Sequence, residues 1–514
     1  MNTIQRLFVM AAMALTAQLV TACSGVGTAV AERPNFLILM SDNHSSEHLG
    51  SYGDPVVATP NIDRVAEQGV RFSNAFASAP SCTPARASML TGQDIWRLEE
   101  GANLHGILPS KFQVYPDLLE DGGYLVGYEG KGWGPGNWKD AGRSRNPAGD
   151  KYRSFEEFYA EREDGQPFMY WFSSRNPHRP YPEDGGKKAT IDVDKIVVPP
   201  YLPDSPESRA DIADYFAEIQ DFDDEVGALI AKLEATGETE NTIIIVASDN
   251  GWQMPRGLAN LYTMGTKIPM IISMPQQFRE GRVVEDFVSL NDLAPTFLEL
   301  ADVPVPESMT AKSLVNILES QESGVIEPER DFFVTARERH AYVRFDGGGF
   351  GGRAIQTRDY LYIRNYEHEN WPAGDPPLFG DVDAHMLEYA CPTKMHILLN
   401  RETPEGKYFF DLAFAKRPEE ELYDLKEDPY QLNNVAGDVN YRAARDEMAG
   451  RLNDFLTETG DPRVVGGDKK WLGAKYYATR DFNPRPSEAA RELLGLEEEY
   501  AYEIVEPDTA NDHQ

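Results

Sequence analysis

Two short apolar runs, far apart in the chain, end in the same three residues. Asn35-Phe36-Leu37-Ile38-Leu39-Met40 leads into Ser41-Asp42-Asn43, and Thr242-Ile243-Ile244-Ile245-Val246-Ala247 leads into Ser248-Asp249-Asn250. Runs this short and apolar throughout, rather than alternating, read as strands buried on both faces, as in a parallel sheet. In open α/β sheets ligands bind beyond the carboxyl ends of the strands. Both Asp-Asn pairs would then face one crevice. Asp42, Asn43, Asp249 and Asn250 offer oxygen donors only, which suits a hard divalent cation. Asp and Asn are also ordinary turn residues after strands, so the pairs alone leave both readings open.

The rest of the first 345 residues fits an α/β layered domain. Thr59-Pro60 opens a short helix with Ile62, Val65 and Ala66 on one face. Val70, Phe72, Asn74 and Phe76 alternate as a strand, and Phe168 to Phe172 is another apolar strand. From Ser208 to Ala235, apolar residues recur at helical spacing until Gly237. Near residue 346 the texture changes to a glycine-rich junction, followed by the strand-forming Tyr360-Leu361-Tyr362-Ile363 and a helix near Tyr441 to Leu456. The expected divisions are a leader at 1–23, a large domain at 33–345, a smaller C-terminal α+β subdomain at 346–505 and an acidic tail at 506–514.

With 514 residues, 41% of them hydrophobic, the chain can build a sizeable core. Its formal net charge of −35 argues against nucleic acid and anionic membranes as bulk partners. It also repels a polyanionic substrate at long range, a conflict that salt relieves beyond roughly 8 Å. The three cysteines, Cys23, Cys82 and Cys391, give no disulfide framework. Arg6 and the apolar stretch Leu7–Val20 resemble an export signal. Val20-Thr21-Ala22-Cys23 resembles a bacterial lipobox, which makes Cys23 a candidate lipid anchor; cleavage after Ala29-Val30-Ala31 fits as well. Either way the expectation is an exported protein of a Gram-negative bacterium, periplasmic or anchored to the outer membrane.

Pro80-Ser81-Cys82-Thr83-Pro84-Ala85-Arg86 places a cysteine at a helix start and an arginine one turn inside. Such a cysteine faces the positive end of a helix dipole, beside a permanently charged guanidinium. A buried core cysteine is the bland alternative. Cys82-Thr83-Pro84-Ala85-Arg86 resembles the Cys-x-Pro-x-Arg motif of type I sulfatases, with Ala85 where Ser is most common, and the resemblance runs from about Pro34 to about Ala436. It implies an alkaline-phosphatase-like fold: a large mixed sheet sandwiched by helices, with the smaller α+β subdomain after it. It implies that a maturation system oxidises Cys82 to formylglycine, whose hydrate attacks sulfur with one hydroxyl and expels sulfate with the other. It implies one calcium ion held by Asp42, Asn43, Cys82, Asp249 and Asn250, with Arg86, Lys131 and His178 as catalytic residues. Lys131 matches the family's sulfate-contacting lysine, and His178 its Pro-His-x-Pro general acid.

Besides Ala85, the chain departs from the family in three places. Asn43 replaces the usual second aspartate, Trp133 stands where many members have a histidine, and Leu258 stands where a lysine is usual. Arg256 is the candidate for the missing charge, and Arg339 and His340 are candidates for reading a sugar. His44, His48 and His105 read as structural or supporting residues. The expected activity is hydrolysis of sulfate monoesters on carbohydrates, end-acting, with algal polysaccharides such as ulvan ahead of glycosaminoglycans. The alternatives are a phosphonate monoester or phosphodiester hydrolase of the same superfamily, and a catalytically dead glycan-binding protein.

Overall fold

In the computed structural model the described residues are 33–478, apart from 183, 276, 345 and 382–390, together with 492. The leader expected at 1–23, with Cys23, and the acidic tail lie outside them. Among the described residues no helix is long and apolar enough to cross a membrane.

Among the described residues, twelve strands form two sheets. They are β1 (Asn35–Ser41), β2 (Val70–Phe76), β3 (Leu125–Gly130), β4 (Asp150–Lys151), β5 (Phe168–Ser173) and β6 (Thr242–Ser248), then β7 (Met270–Ser273), β8 (Arg282–Ser289), β9 (Phe332–Arg337), β10 (Gly352–Thr357), β11 (Tyr360–Asn365) and β12 (Glu420–Asp424). The larger sheet has the order β4-β3-β5-β1-β6-β7-β2-β8. Its pairings are parallel except those of β7, which runs antiparallel to β6 and to β2. The helices that bear on the site are α1 (Pro60–Glu67), α2 (Cys82–Thr91), α3 (Pro206–Thr236), α4 (Pro392–Asn400) and α5 (Arg442–Glu458).

The uniformly apolar runs are explained by a core on each face of this sheet. Successive side chains of a strand point to opposite faces. Phe36, Ile38, Met40, Ile243 and Ile245 therefore join one core. Leu37, Leu39, Ile244 and Val246 join the other, with Ile212, Phe216, Ile219, Val226 and Leu233 of α3. The pairing of β1 and β6 is in register along its length, so Ser41 lies opposite Ser248. The repeated Ser-Asp-Asn endings thus emerge side by side.

The smaller sheet is antiparallel, in the order β12-β11-β10-β9, and carries α5 through Met448, Leu452 and Leu456. Its first strand, β9, precedes the glycine-rich stretch, which connects β9 to its neighbour β10. The boundary expected at 346 therefore falls inside this sheet. Glycine there serves a connection between paired strands rather than a linker between bodies.

His48 is buried against this framework. Its ring lies 4.7 Å from that of Trp252 and its Nδ1 is 3.3 Å from the Tyr215 hydroxyl. Burial, assisted by His44, lowers its pKa from 6.5 to about 3. The unfolded chain therefore takes up a proton below pH 6.5 that the folded chain refuses, and stability falls as the pH drops. Between pH 7 and pH 5 this residue alone should cost about 2 kcal/mol. Denaturant titrations should show that loss in the wild-type chain and a smaller one in His48→Phe.

Candidate active site

Adjacent parallel strands deliver the motif residues to one edge of the sheet. β3 ends at Gly130, opposite Ser173 at the end of β5, and the next residue is Lys131. Gly130 has φ +81, and a Cβ there would lie 2.1 Å from the Ser173 carbonyl oxygen, so only glycine lets the chain turn here. The Lys131 N–H donates to that carbonyl at 3.1 Å. The chain leaving β5 carries His178. Between β5 and β6, β1 delivers Asp42 and Asn43, and β6 delivers Asp249 and Asn250. The Asp42 N–H donates to the Asn176 carbonyl at 2.9 Å, and the Asn43 N–H donates to Asp249 Oδ1 at 3.1 Å. Asn43 has φ 64, a left-handed conformation that asparagine tolerates better than most residues.

Helix α2 brings Cys82 over these strand ends. Its residues are buried throughout, Gly92 closes it in the left-handed conformation, and Cys82 is its first residue. Cys82 Sγ lies 3.5 Å from Asp42 Oδ1, 3.8 Å from Asn43 Oδ1 and 3.7 Å from Asn250 Nδ2. Ligand atoms of Asp42, Cys82 and Asp249 all lie within 4.8 Å of one another. The guanidinium of Arg86, fully buried, donates to Asp249 Oδ2 at 2.8 Å, to the Gly132 carbonyl at 2.7 Å and to Ser173 Oγ at 2.5 Å. Lys131 Nζ lies 2.5 Å from Asp42 Oδ2 and 3.9 Å from Asp249 Oδ2.

The electrostatics follow from this packing. Burial alone would raise the Asp42 carboxyl, but Lys131, His178 and Arg86 overcome it and hold the group well below the usual carboxylate range. Burial, with the charges of Asp249 and Asp42, pushes the Cys82 thiol well above its ordinary value despite Lys131 and Arg86. An unmodified Cys82 is therefore a thiol at neutral pH and a weak nucleophile. The donor set fits a hard cation: two carboxylates and two amides converge, and Asn250 Oδ1 is buried without a hydrogen-bond partner. Arg86 Nη2 is likewise buried without a partner, a donor in the same cluster.

The three substrate-binding candidates separate. His340 is brought beside the cluster: its Nδ1 lies 2.9 Å from Ser81 Oγ, next to Cys82, and burial lowers its pKa to about 4. Arg256 is turned away. Its guanidinium donates to the Leu412 carbonyl at 2.9 Å and to the Gln431 carbonyl, and lies 3.9 Å from the Tyr262 ring. Arg339 is also committed elsewhere, donating to the carbonyls of Ala474 at 2.7 Å and Lys475 at 3.2 Å and stacking on Tyr476. Neither stands in for the lysine absent at Leu258. Trp133 and Leu258 are themselves buried, Trp133 in the core that also takes Ala85 and Ala87 of α2. Sequence reasoning did not find Ser173, which anchors Arg86, or Gln253, whose Oε1 accepts from Asn43 Nδ2 at 3.0 Å.

The mixed sheet thus gathers candidate cation ligands, a guanidinium and an ammonium at its carboxyl edge. The sulfatase family profile matches residues 34–160 and 150–303, and the profile "N-sulphoglucosamine sulphohydrolase, C-terminal" matches residues 257–372. The chain belongs to the sulfatase family, and it is a sulfuric ester hydrolase. It is 28% identical to human N-sulphoglucosamine sulphohydrolase over 86% of this chain and 94% of that protein. It is 26% identical to an ulvan-active sulfatase of Formosa agariphila over 86% of this chain and 78% of that one. A solved structure of a protein in complex with its substrate D-glucosamine-2-N, 6-O-disulfate superposes with a TM-score of 0.60 at 20% identity, over 85% of this chain and 100% of that chain. The phosphonate monoester hydrolase of Agrobacterium radiobacter shares the fold, with a TM-score of 0.57 at 18% identity over 84% of this chain and 97% of that chain.

The Arg86–Asp249 pair is buried on both sides. Breaking such a pair from one side strands the other charge and costs about 3–5 kcal/mol. Arg86→Met, unfolded in denaturant with a chelator present, should lose that much against the wild-type chain under the same conditions.

Proposed function

We propose that the chain is an exported carbohydrate sulfatase that works through formylglycine at position 82 and one calcium ion. The observation that carries this reading is the convergence of Cys82 Sγ with Asp42, Asn43 and Asn250, of Lys131 with Asp42, and of Arg86 with Asp249. The raised thiol supports it, because a cysteine so placed has little use as a thiolate. Asp42, Asn43, Asp249, Asn250 and residue 82 would hold the cation, which supplies charge for the sulfate oxygens and acidity for the attacking group. The hydrated aldehyde at position 82 supplies the nucleophile and the means to release sulfate.

The chain's own residues do the rest. Arg86 fixes Asp249 and Ser173 in place. Lys131 offers an ammonium to a sulfate oxygen, and Asp249 receives the proton of the nucleophile. His178 has its Nδ1 held by the Arg179 carbonyl, which leaves Nε2 as the atom to serve the departing alcohol oxygen as general acid. His340, held by Ser81, borders the sugar. Export as a lipoprotein through Cys23, with a Gram-negative envelope as the location, rests on the leader sequence alone.

Ulvan is the favoured substrate because ulvan-active relatives match over most of the chain and because a surface of net charge −35 suits saline surroundings. A second reading, an N-sulfated glucosamine unit, is favoured by the C-terminal profile over 257–372. Sulfate release from ulvan oligosaccharides and from N-sulfoglucosamine saccharides separates the two. Turnover of an aryl phosphonate faster than of every sulfate would sink both.

Cys82→Ala should abolish sulfate release, and Cys82→Ser should too, because a serine hydroxyl has no geminal partner to expel sulfate. Intact-mass measurement of the wild-type protein should find an aldehyde in place of the thiol. His178→Ala should slow a sugar sulfate by about 10²–10⁴-fold and an activated aryl sulfate far less, since only the sugar alcohol needs a proton to leave. Equal losses on both substrates would assign His178 to sulfate binding.

A further inference from the structure

Asn43 is buried, and its amide could face the cluster with either end. What settles the orientation is a backbone group. The Arg179 N–H is a donor whatever the side chains do, and it lies 3.1 Å from Gln253 Oε1. The atom facing it must therefore be the Gln253 oxygen. The same oxygen lies 3.0 Å from Asn43 Nδ2 and accepts from it. With Nδ2 engaged there, Asn43 Oδ1 turns towards Cys82 Sγ, 3.8 Å away. Gln253 is held in turn. Its carbonyl accepts from Arg179 Nε at 3.0 Å, and Arg179 pairs with Asp211 of α3 through contacts of 2.6 and 2.9 Å. Asp211 Oδ2 also accepts from Thr393 Oγ1 of α4 at 2.6 Å. All five residues are buried.

We propose that Gln253 is a positioning residue for the cation site, which fixes Asn43 as an oxygen ligand and makes position 43 selective for a neutral amide. The inference rests on the cation reading given above. An aspartate at 43 would set a carboxylate oxygen against Gln253 Oε1, acceptor facing acceptor. Turning the Gln253 amide over would deprive the Arg179 N–H of its acceptor, and a buried donor left unpaired is costly. A carboxylate added at 43 therefore does not strengthen the site while Gln253 is present. The carboxylates of Asp42 and Asp249 are already matched by Lys131 and Arg86, so the site is charge-balanced before a cation enters.

The test is a double-mutant cycle on calcium affinity, read by titration calorimetry and by the calcium-dependent shift in melting temperature. Gln253→Leu should weaken calcium binding roughly 10–100-fold, as loss of a residue that orients a ligand does. Asn43→Asp alone should not tighten it. The double variant should bind calcium more tightly than Asn43→Asp, so that the effect of removing Gln253 reverses sign with the residue at 43. Gln253→Glu, which still accepts from both donors, should stay within a few-fold of wild type, and it keeps the test decisive if Gln253→Leu fails to fold. Tighter binding by Asn43→Asp alone, or a loss of the same factor on removing Gln253 in both backgrounds, would overturn the proposal. A wild-type chain that takes up no calcium would overturn the cation reading itself, a result distinct from calcium binding with an additive cycle.

Discussion

The Arg86–Asp249 contact joins the helix that carries Cys82 to the sheet that carries the carboxylates. The guanidinium reaches Asp249 at 2.8 Å beyond β6, Gly132 beyond β3 and Ser173 at the end of β5. One planar, permanently charged group thus spans the ends of three strands. Its burial is tolerable only because each contact is an acceptor, and the carboxylate it meets is tolerable only because the guanidinium is there. Asp249 in turn accepts the Asn43 N–H, so the geometry of β1's end depends on the same pair. Lys131 performs a similar service for Asp42. The arrangement presents two buried carboxylates without leaving either one unpaired.

Much of this was legible in the sequence. The apolar runs before Asp42 and Asp249 read as strands with both faces covered, and their shared ending pointed to a shared crevice. Cys82, Pro84 and Arg86 announced a helix start, and α2 begins at Cys82. What failed was the placement of arginines close in sequence to motifs. Arg256 follows Asp249 by seven residues, yet its φ of 73 and its contacts with the carbonyls of Leu412 and Gln431 turn it to the smaller sheet's side. Arg339 is bound by carbonyls of 474 and 475 that no local pattern predicts. Proximity in sequence sets where a backbone passes; the direction of these long side chains is decided by acceptors 135 to 175 residues away.

The same limit explains why Gln253 and the His340–Ser81 pair carried no sequence signal. Their contacts span 210 and 259 residues. A glutamine after Gly-Trp is compositionally unremarkable, and its meaning comes only from a backbone N–H on a different loop. The departures at Trp133 and Leu258 read differently once packed. Both are core residues, so the positions have been given over to burial, and the polar work at this edge falls to groups that already have other anchors.

The pairing of β1 has a consequence for the order in which the molecule can be assembled. β1 lies between β5 and β6, and its register with β6 joins residues 207 positions apart. A ribosome delivers residues 35–41 long before residues 242–248. Helix α2 has no completed crevice to cover until the later strand arrives, and in the finished protein Cys82 is only 3% exposed. A modifying enzyme that needed the chain around this thiol extended would find it so before β6 docks. For position 82, the order of synthesis would leave an interval in which the side chain is open before the sheet that buries it is complete.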